Sequence, residues 1–205
     1  MGTMNERPIR FRFNAKKAAQ AANKLLQLSG GQRNYMELVK LLYLADRKAI
    51  VRLQRQITGD QLVSLPYGPV LSRILNLIRL GPNSPEDAPW FDAVSAPFGY
   101  DVKSLGDCGD DELSNAECRI LQEVYDEHGG KNWKELSKLT HELPEWTDPD
   151  GGTIPISPEQ VLKLEGKSPE EIAFIRRELS LFDQLDRELS RYEGQEFVVC
   201  DQLPA

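Results

Sequence analysis

Leu38-Val39-Lys40-Leu41-Leu42-Tyr43-Leu44-Ala45-Asp46-Arg47 holds a single charge, Lys40, between Leu38 and Ala45. A helix of that composition has no solvent face of ordinary width, so it belongs at the centre of a fold with neighbours on several sides. A tight turn then leads to Ile57-Thr58-Gly59-Asp60 and Gln61-Leu62-Val63-Ser64-Leu65. A Gly-Asp pair between short β-prone runs reads as a small hairpin. In Tyr67-Gly68-Pro69-Val70, Gly68 supplies a positive-φ or crowded position, and Pro69 suits the first position of a helix continuing through Leu71-Ser72-Arg73-Ile74-Leu75.

Outward from this stretch the chain is mainly helical. Ile9-Arg10-Phe11-Arg12-Phe13 alternates with period two and reads as a half-buried strand. Asn14 caps a helix carrying Ala18, Ala21, Ala22, Leu25 and Leu28, which Gly30-Gly31 stops. Capping-box spacing occurs at Asn34/Glu37, Ser114/Glu117, Asn132/Glu135, Ser157/Gln160 and Ser168/Glu171, the last two followed by Pro158 and Pro169 at the first helical position. The helix begun near Val70 ends at Gly81-Pro82. Residues 81–113, rich in proline and acid, are the least helical. There Trp90–Val94 and Phe98–Val102 read as strands completing a sheet with the 57–65 hairpin, and Asp107–Glu112 as an exposed acidic loop. A helix from Ser114 closes at His128-Gly129-Gly130, and a shorter one follows with Trp133, Leu136, Leu139 and Thr140. Asp148–Gly152 marks a turn or mobile loop. The last helix, from Pro169 to about Tyr192, lines up Ile172, Ile175, Leu179, Phe182, Leu185 and Leu189, a stripe that suits packing on the core, a groove for a partner protein, or a homodimer seam. Glu196–Val199 reads as a terminal strand. Met1 to Asn5 reads as an expression remnant before a second start at Met4.

The fold class expected is mainly α with a small antiparallel β element, a compact helical domain around one buried central helix. The organisation expected is a core over residues 6–150 and a C-terminal helical extension over 151–205, packed on the core or on a partner. The 205 residues, with 40% hydrophobic and 28% charged, suit a soluble globular protein without membrane spans or a signal peptide, hence a cytoplasmic location. Net charge is -7, but residues 1–80 carry a balance of +10 and residues 81–205 one of -17. Such a split fits two halves that face each other, or a basic surface for an acidic partner. Cys108, Cys118 and Cys200 lack zinc or disulfide spacing and read as reduced thiols.

No nucleophile–base pair, metal cluster or phosphate loop is legible, so neither an enzyme nor a cofactor is expected. His141 reads as a histidine hydrogen-bonded at a helix end, stabilising a turn. Asp46, with Arg47 at the end of the central helix, and Asp60 are the charged residues that stand out. A carboxylate on a buried helix needs hydrogen-bond partners, so Asp46 is expected to tie the hairpin or the Tyr67-Gly68-Pro69 turn to that helix. The alternative is a recognition patch formed with Tyr67. Arg10, Arg12, Lys16 and Lys17 could meet phosphates, but without a basic recognition helix nucleic acid is not the expected partner.

The ordered set Lys40–Arg47, Ile57–Asp60 and Tyr67–Val70 resembles the Panacea domain of SocA-like antitoxins, a phage-associated domain, and the resemblance extends to Leu139-Thr140-His141 and Pro144-Glu145-Trp146. It implies an antitoxin that neutralises a cognate toxin by direct protein–protein binding, or that hands the toxin to a AAA+ protease. The alternatives are a DNA-binding regulator and, after it, an enzyme with an unrecognised site. It also implies that His141 and Trp146 stand near the central stretch. The residues expected to carry partner recognition or to hold this motif together are Tyr43, Asp46, Arg47, Gly59, Asp60, Tyr67, Gly68, Pro69, His141 and Trp146.

Overall fold

The computed structural model describes residues 8–193; the expression remnant expected at Met1–Asn5, the strand expected at Glu196–Val199, and Cys200 lie outside the described residues. The first helix, α1 (Ala15–Leu28), starts where Asn14 Oδ1 accepts from Lys17 N, and it ends before Gly30 and Gly31. After β1 (Gln32–Asn34) the central helix α2 runs over Tyr35–Leu53, capped by Asn34, whose side chain accepts from Met36 N. Its residues from Leu38 to Asp46 are all buried, Lys40 included. It packs against α1 and against elements introduced below on every other side, which is why no polar stripe survives along this stretch.

The stretch after α2 departs from expectation. Ile57–Asp60 forms no strand; the hairpin is β2 (Leu62–Leu65) with β3 (Gly68–Leu71), and its turn is Pro66–Tyr67. Pro69 therefore sits in a strand opposite Ser64, and α3 (Ser72–Leu80) begins only after it. A proline without an N–H is tolerated there because β3 is an edge strand of its sheet. Gly81, at φ +86, ends α3 as expected.

Residues 85–93 correct another expectation. Asp87 accepts from Asn83 N (2.9 Å) and Ser84 N (3.0 Å) at the start of a single 3-10 turn, and α4 (Ala88–Ala93) continues from it, so Trp90 enters the core from a helix. β4 (Asp101–Lys103) is a strand, but it pairs antiparallel with β1, Arg33 opposite Val102, away from the hairpin. Ile9–Phe13 likewise joins no ladder. It runs extended with alternating burial, Ile9 inward and Arg10 and Arg12 outward, anchored by Ile9 N donating to Glu159 at 2.6 Å.

α5 (Asn115–His128) and α6 (Trp133–His141) both begin in complete capping boxes, at Ser114/Glu117 and Asn132/Glu135. β5 (Ile154–Pro155) then adds to the free edge of β2, and α7 (Pro158–Leu164) packs on α2. Finally α8 (Pro169–Glu193) contacts α7 through its first turns. Among the described residues no helix is long and apolar enough to cross a membrane.

The charge split closes largely within the molecule. Lys16 pairs with Asp111 and Lys17 with Glu117, Lys48 reaches Glu123 and Glu127, and Arg73 meets Asp87 at 2.7 Å. Lysines that could have met phosphate thus face the chain's own acids. The Lys16 pair is exposed and adds little stability, whereas Glu117 and Asp87 are buried and rely on Lys17 and Arg73 as counter-charges.

Candidate functional site

Asp46 lies mid-helix, because α2 continues for two turns beyond Arg47. Its carboxylate accepts from Ile57 N (2.8 Å), Thr58 N (3.0 Å), Thr58 Oγ1 (2.5 Å) and Gln56 Nε2 (3.4 Å). The segment leaving α2 is thereby bent back onto the helix by one fully buried side chain. Burial pushes this carboxyl up to about 7, against the pull of the Thr58 and Ile57 donors. Asp60 does the same for the next element, taking Arg73 N (3.0 Å) and Ile74 N (2.8 Å) at the start of α3, whose own cap residue Leu71 has no side chain to offer. Burial raises it to about 6, again against backbone donors. Between them Gly59, at φ +69, has no room for a side chain: a Cβ there would lie 2.1 Å from the Arg12 carbonyl oxygen.

Above this latch stands the hairpin turn, whose outward carbonyls are all taken by side chains. Trp146 Nε1 donates to Leu65 O (3.1 Å) and His141 Nε2 to Pro66 O (3.0 Å). A carbonyl can only accept, so the His141 proton sits on Nε2. Tyr67 O accepts from Lys40 Nζ (2.6 Å) and Ser137 Oγ (2.8 Å), and Pro69 O from Lys40 Nζ (3.0 Å). His141 and Trp146 also pack together, ring centroids 4.3 Å apart. Gly68, at φ +92, lets α2 and α6 close beneath the turn, since a Cβ would fall 2.7 Å from both Lys40 Nζ and Thr140 Oγ1. The Tyr67 side chain itself is 64% exposed. The result is a turn whose carbonyls are held by four side chains while it presents one aromatic residue to solvent.

Behind it, Glu145 is buried and accepts from Tyr43 Oη (2.9 Å) and from Arg47 Nε (2.7 Å) and Nη2 (3.2 Å). Arg47 Nη2 also donates to Glu165 at 2.5 Å, which ties the end of α7 to the centre. Burial drives the Tyr43 hydroxyl pKa upward, and Glu145 beside it adds to the effect.

The structure thus gathers Gly68, Pro69, His141 and Trp146 around Tyr67, sets Asp46, Gly59 and Asp60 in the latch beneath, and puts Tyr43 and Arg47 on Glu145. Lys40, Ser137 and Glu145 belong to the same assembly and were missed as site residues. For Lys40 the signal was present: a lone lysine in a wholly apolar helical stretch must find acceptors inside. Burial without a carboxylate partner lowers its pKa to about 7. Cys108 and Cys118 are free thiols, and among the described residues no group of histidines, cysteines and acids could hold a metal.

Together the fold and this turn define a mainly helical domain with a rigid, side-chain-locked surface loop. The family described as antitoxin SocA-like, Panacea domain, matches residues 38–147, more than half of the chain, and the chain belongs to that family. The matched span opens at the buried stretch of α2 and closes one residue beyond Trp146, so it encloses the turn and all of its donors. Neither a curated protein nor a solved structure matches the chain.

Proposed function

We propose that this protein is the antitoxin of a toxin–antitoxin pair and neutralises its toxin by direct binding, with Tyr67 as an anchor at the contact. Family membership supports the antitoxin reading. The observation that carries the anchor is the captured turn: four side chains from α2, α6 and the loop after it fix the carbonyls around an exposed tyrosine. Tyrosine gives a large contact area for little lost rotamer entropy, and an anchor already held in place costs less to order on binding. Neutralisation of this kind needs a complementary surface and no catalytic group.

The test is co-expression with the protein encoded by the neighbouring reading frame. Growth arrest by that protein alone, relief on co-expression and co-purification of the two chains support the proposal. A harmless neighbour, or relief with no complex formed, removes it. Relief that disappears in a host lacking its AAA+ proteases turns the reading toward delivery of the toxin for degradation.

A further inference from the structure

α8 carries a second apolar face that the other described residues leave open. Ile172 and Ile175 are buried and Leu179 is half-buried, whereas Phe174, Leu181, Phe182, Leu185 and Leu189 expose between 53% and 61% of their surface. At about 100° per residue the exposed set spans an arc of about 100°, centred roughly 100° away from the core-facing set. It is therefore a different side of the helix and not a frayed end of the packed one. From Ser180 to Leu189 every described side chain is exposed, so the helix has left the core for roughly 15 Å. A helical arm that short is marginal in water unless its apolar face is covered.

The pattern on this arm is its own complement. Phe174 and Leu189 stand symmetrically about the midpoint between Leu181 and Phe182; Glu178, on the same arc, falls opposite Leu185, where its methylene stem lies along the leucine and its carboxylate stays in solvent. Arg177 and Glu188, both exposed, lie along one flank of the face on opposite sides of nearly the same midpoint. An antiparallel pair with its two-fold axis there sets Phe174 of one copy on Leu189 of the other and Leu181 on Phe182, and it brings Arg177 beside Glu188 twice by symmetry. A parallel pair leaves those two charges about 16 Å apart along the helix. The exposed side chains offer on the order of 100 Å² each, so a symmetric pair covers about 1,000 Å² in total, where specific interfaces begin.

We propose that α8 is a dimerisation arm whose exposed apolar face is covered by the same face of a second copy of this chain, running antiparallel. The proposal goes beyond the antitoxin reading and does not depend on it. The experiment is sedimentation of the full chain alone, over a wide range of concentration. The expected species has twice the 23.2 kDa chain mass, and Leu185→Asp raises its dissociation constant about tenfold or more while the thermal transition of the core is kept. Arg177→Glu and Glu188→Arg each weaken the dimer, and the double variant recovers it. These two exposed positions decide the matter even if Leu185→Asp misfolds. A monomer at every concentration, a dimer indifferent to Leu185→Asp, or charge swaps that do not rescue one another each overturn the proposal. So does a monomeric free protein whose α8 face is covered only in the toxin complex.

Discussion

Replacing Lys40 by methionine tests the energetics of the locked turn. Lys40 Nζ is buried, donates only to the Tyr67 and Pro69 carbonyls, and has a pKa lowered by desolvation to about 7 from the ordinary 10.5. Below about pH 7 both folded and unfolded chains carry the proton; between 7 and 10.5 the unfolded chain binds it and the folded one releases it. Stability must therefore rise with pH across that window. From pH 7 to pH 9 the shift is worth about 2 kcal/mol, as an upper figure, because the two carbonyls favour the ammonium and narrow it. Methionine keeps the length of the side chain and removes the proton. It leaves Pro69 O without its side-chain donor, a loss of about 1–3 kcal/mol, and it also removes a buried charge. At pH 7 these terms offset, so the variant should match the wild type closely, and at pH 9 it should be less stable by about 2 kcal/mol. Urea unfolding of both proteins at pH 7, 8 and 9 measures the difference directly. Parallel pH profiles would show that Lys40 keeps its proton throughout, and the reasoning from burial would fail.

The latch and the charge network make further claims. Asp46→Asn turns an amide N–H₂ toward backbone and hydroxyl donors and should lower stability by about 2–3 kcal/mol, read as a lower urea midpoint with unchanged slope. Because the pKa values of Asp46 and Asp60 are raised above their unfolded values, the wild type should lose stability as pH rises from about 4 to 7, and Asp46→Asn should make that limb shallower, leaving the Asp60 part. Gly68→Ala should destabilise by about 2 kcal/mol or more, since it must adopt φ +92 and displace Lys40 or Thr140; thermal unfolding that matches the wild type would contradict the packing. Glu145→Gln should cost about 3–5 kcal/mol by leaving Arg47 half-paired in the interior, measured by the same unfolding curves.

Much of the frame could be read from short-range chemistry. Asn14, Ser114, Asn132 and Ser157 cap helices where their spacing put them, and the apolar stretch from Leu38 predicted a helix surrounded on all sides. Misplaced elements were those set by distant partners. Gly59-Asp60 resembles a hairpin turn, but its conformation answers to the Arg12 backbone and to donors on α3, which local pattern cannot reveal. Pro69 resembles a helix start until β3 is known to be a sheet edge. Trp90–Ala93 is a short run of the kind that periodicity leaves ambiguous, and Asp87, accepting from Asn83 N and Ser84 N, starts the turn that continues into the helix. In the site, the resemblance led to His141 and Trp146, and both meet the turn. Lys40 was legible as a buried lysine in need of acceptors but not which ones, and Ser137 carried no signal, because both satisfy carbonyls of a turn expected at Gly59-Asp60 and found at Pro66–Tyr67.

The central claim is that the locked turn offers Tyr67 to the toxin, and the affinity of the purified toxin for wild-type protein and for Tyr67→Ala tests it most directly. The substitution removes a side chain that is 64% exposed and should leave the unfolding curve within about 0.5 kcal/mol of the wild type. Titration calorimetry should show binding weakened by about 2 kcal/mol, roughly thirtyfold. Equal affinities for the two proteins, with the fold intact, would contradict the account.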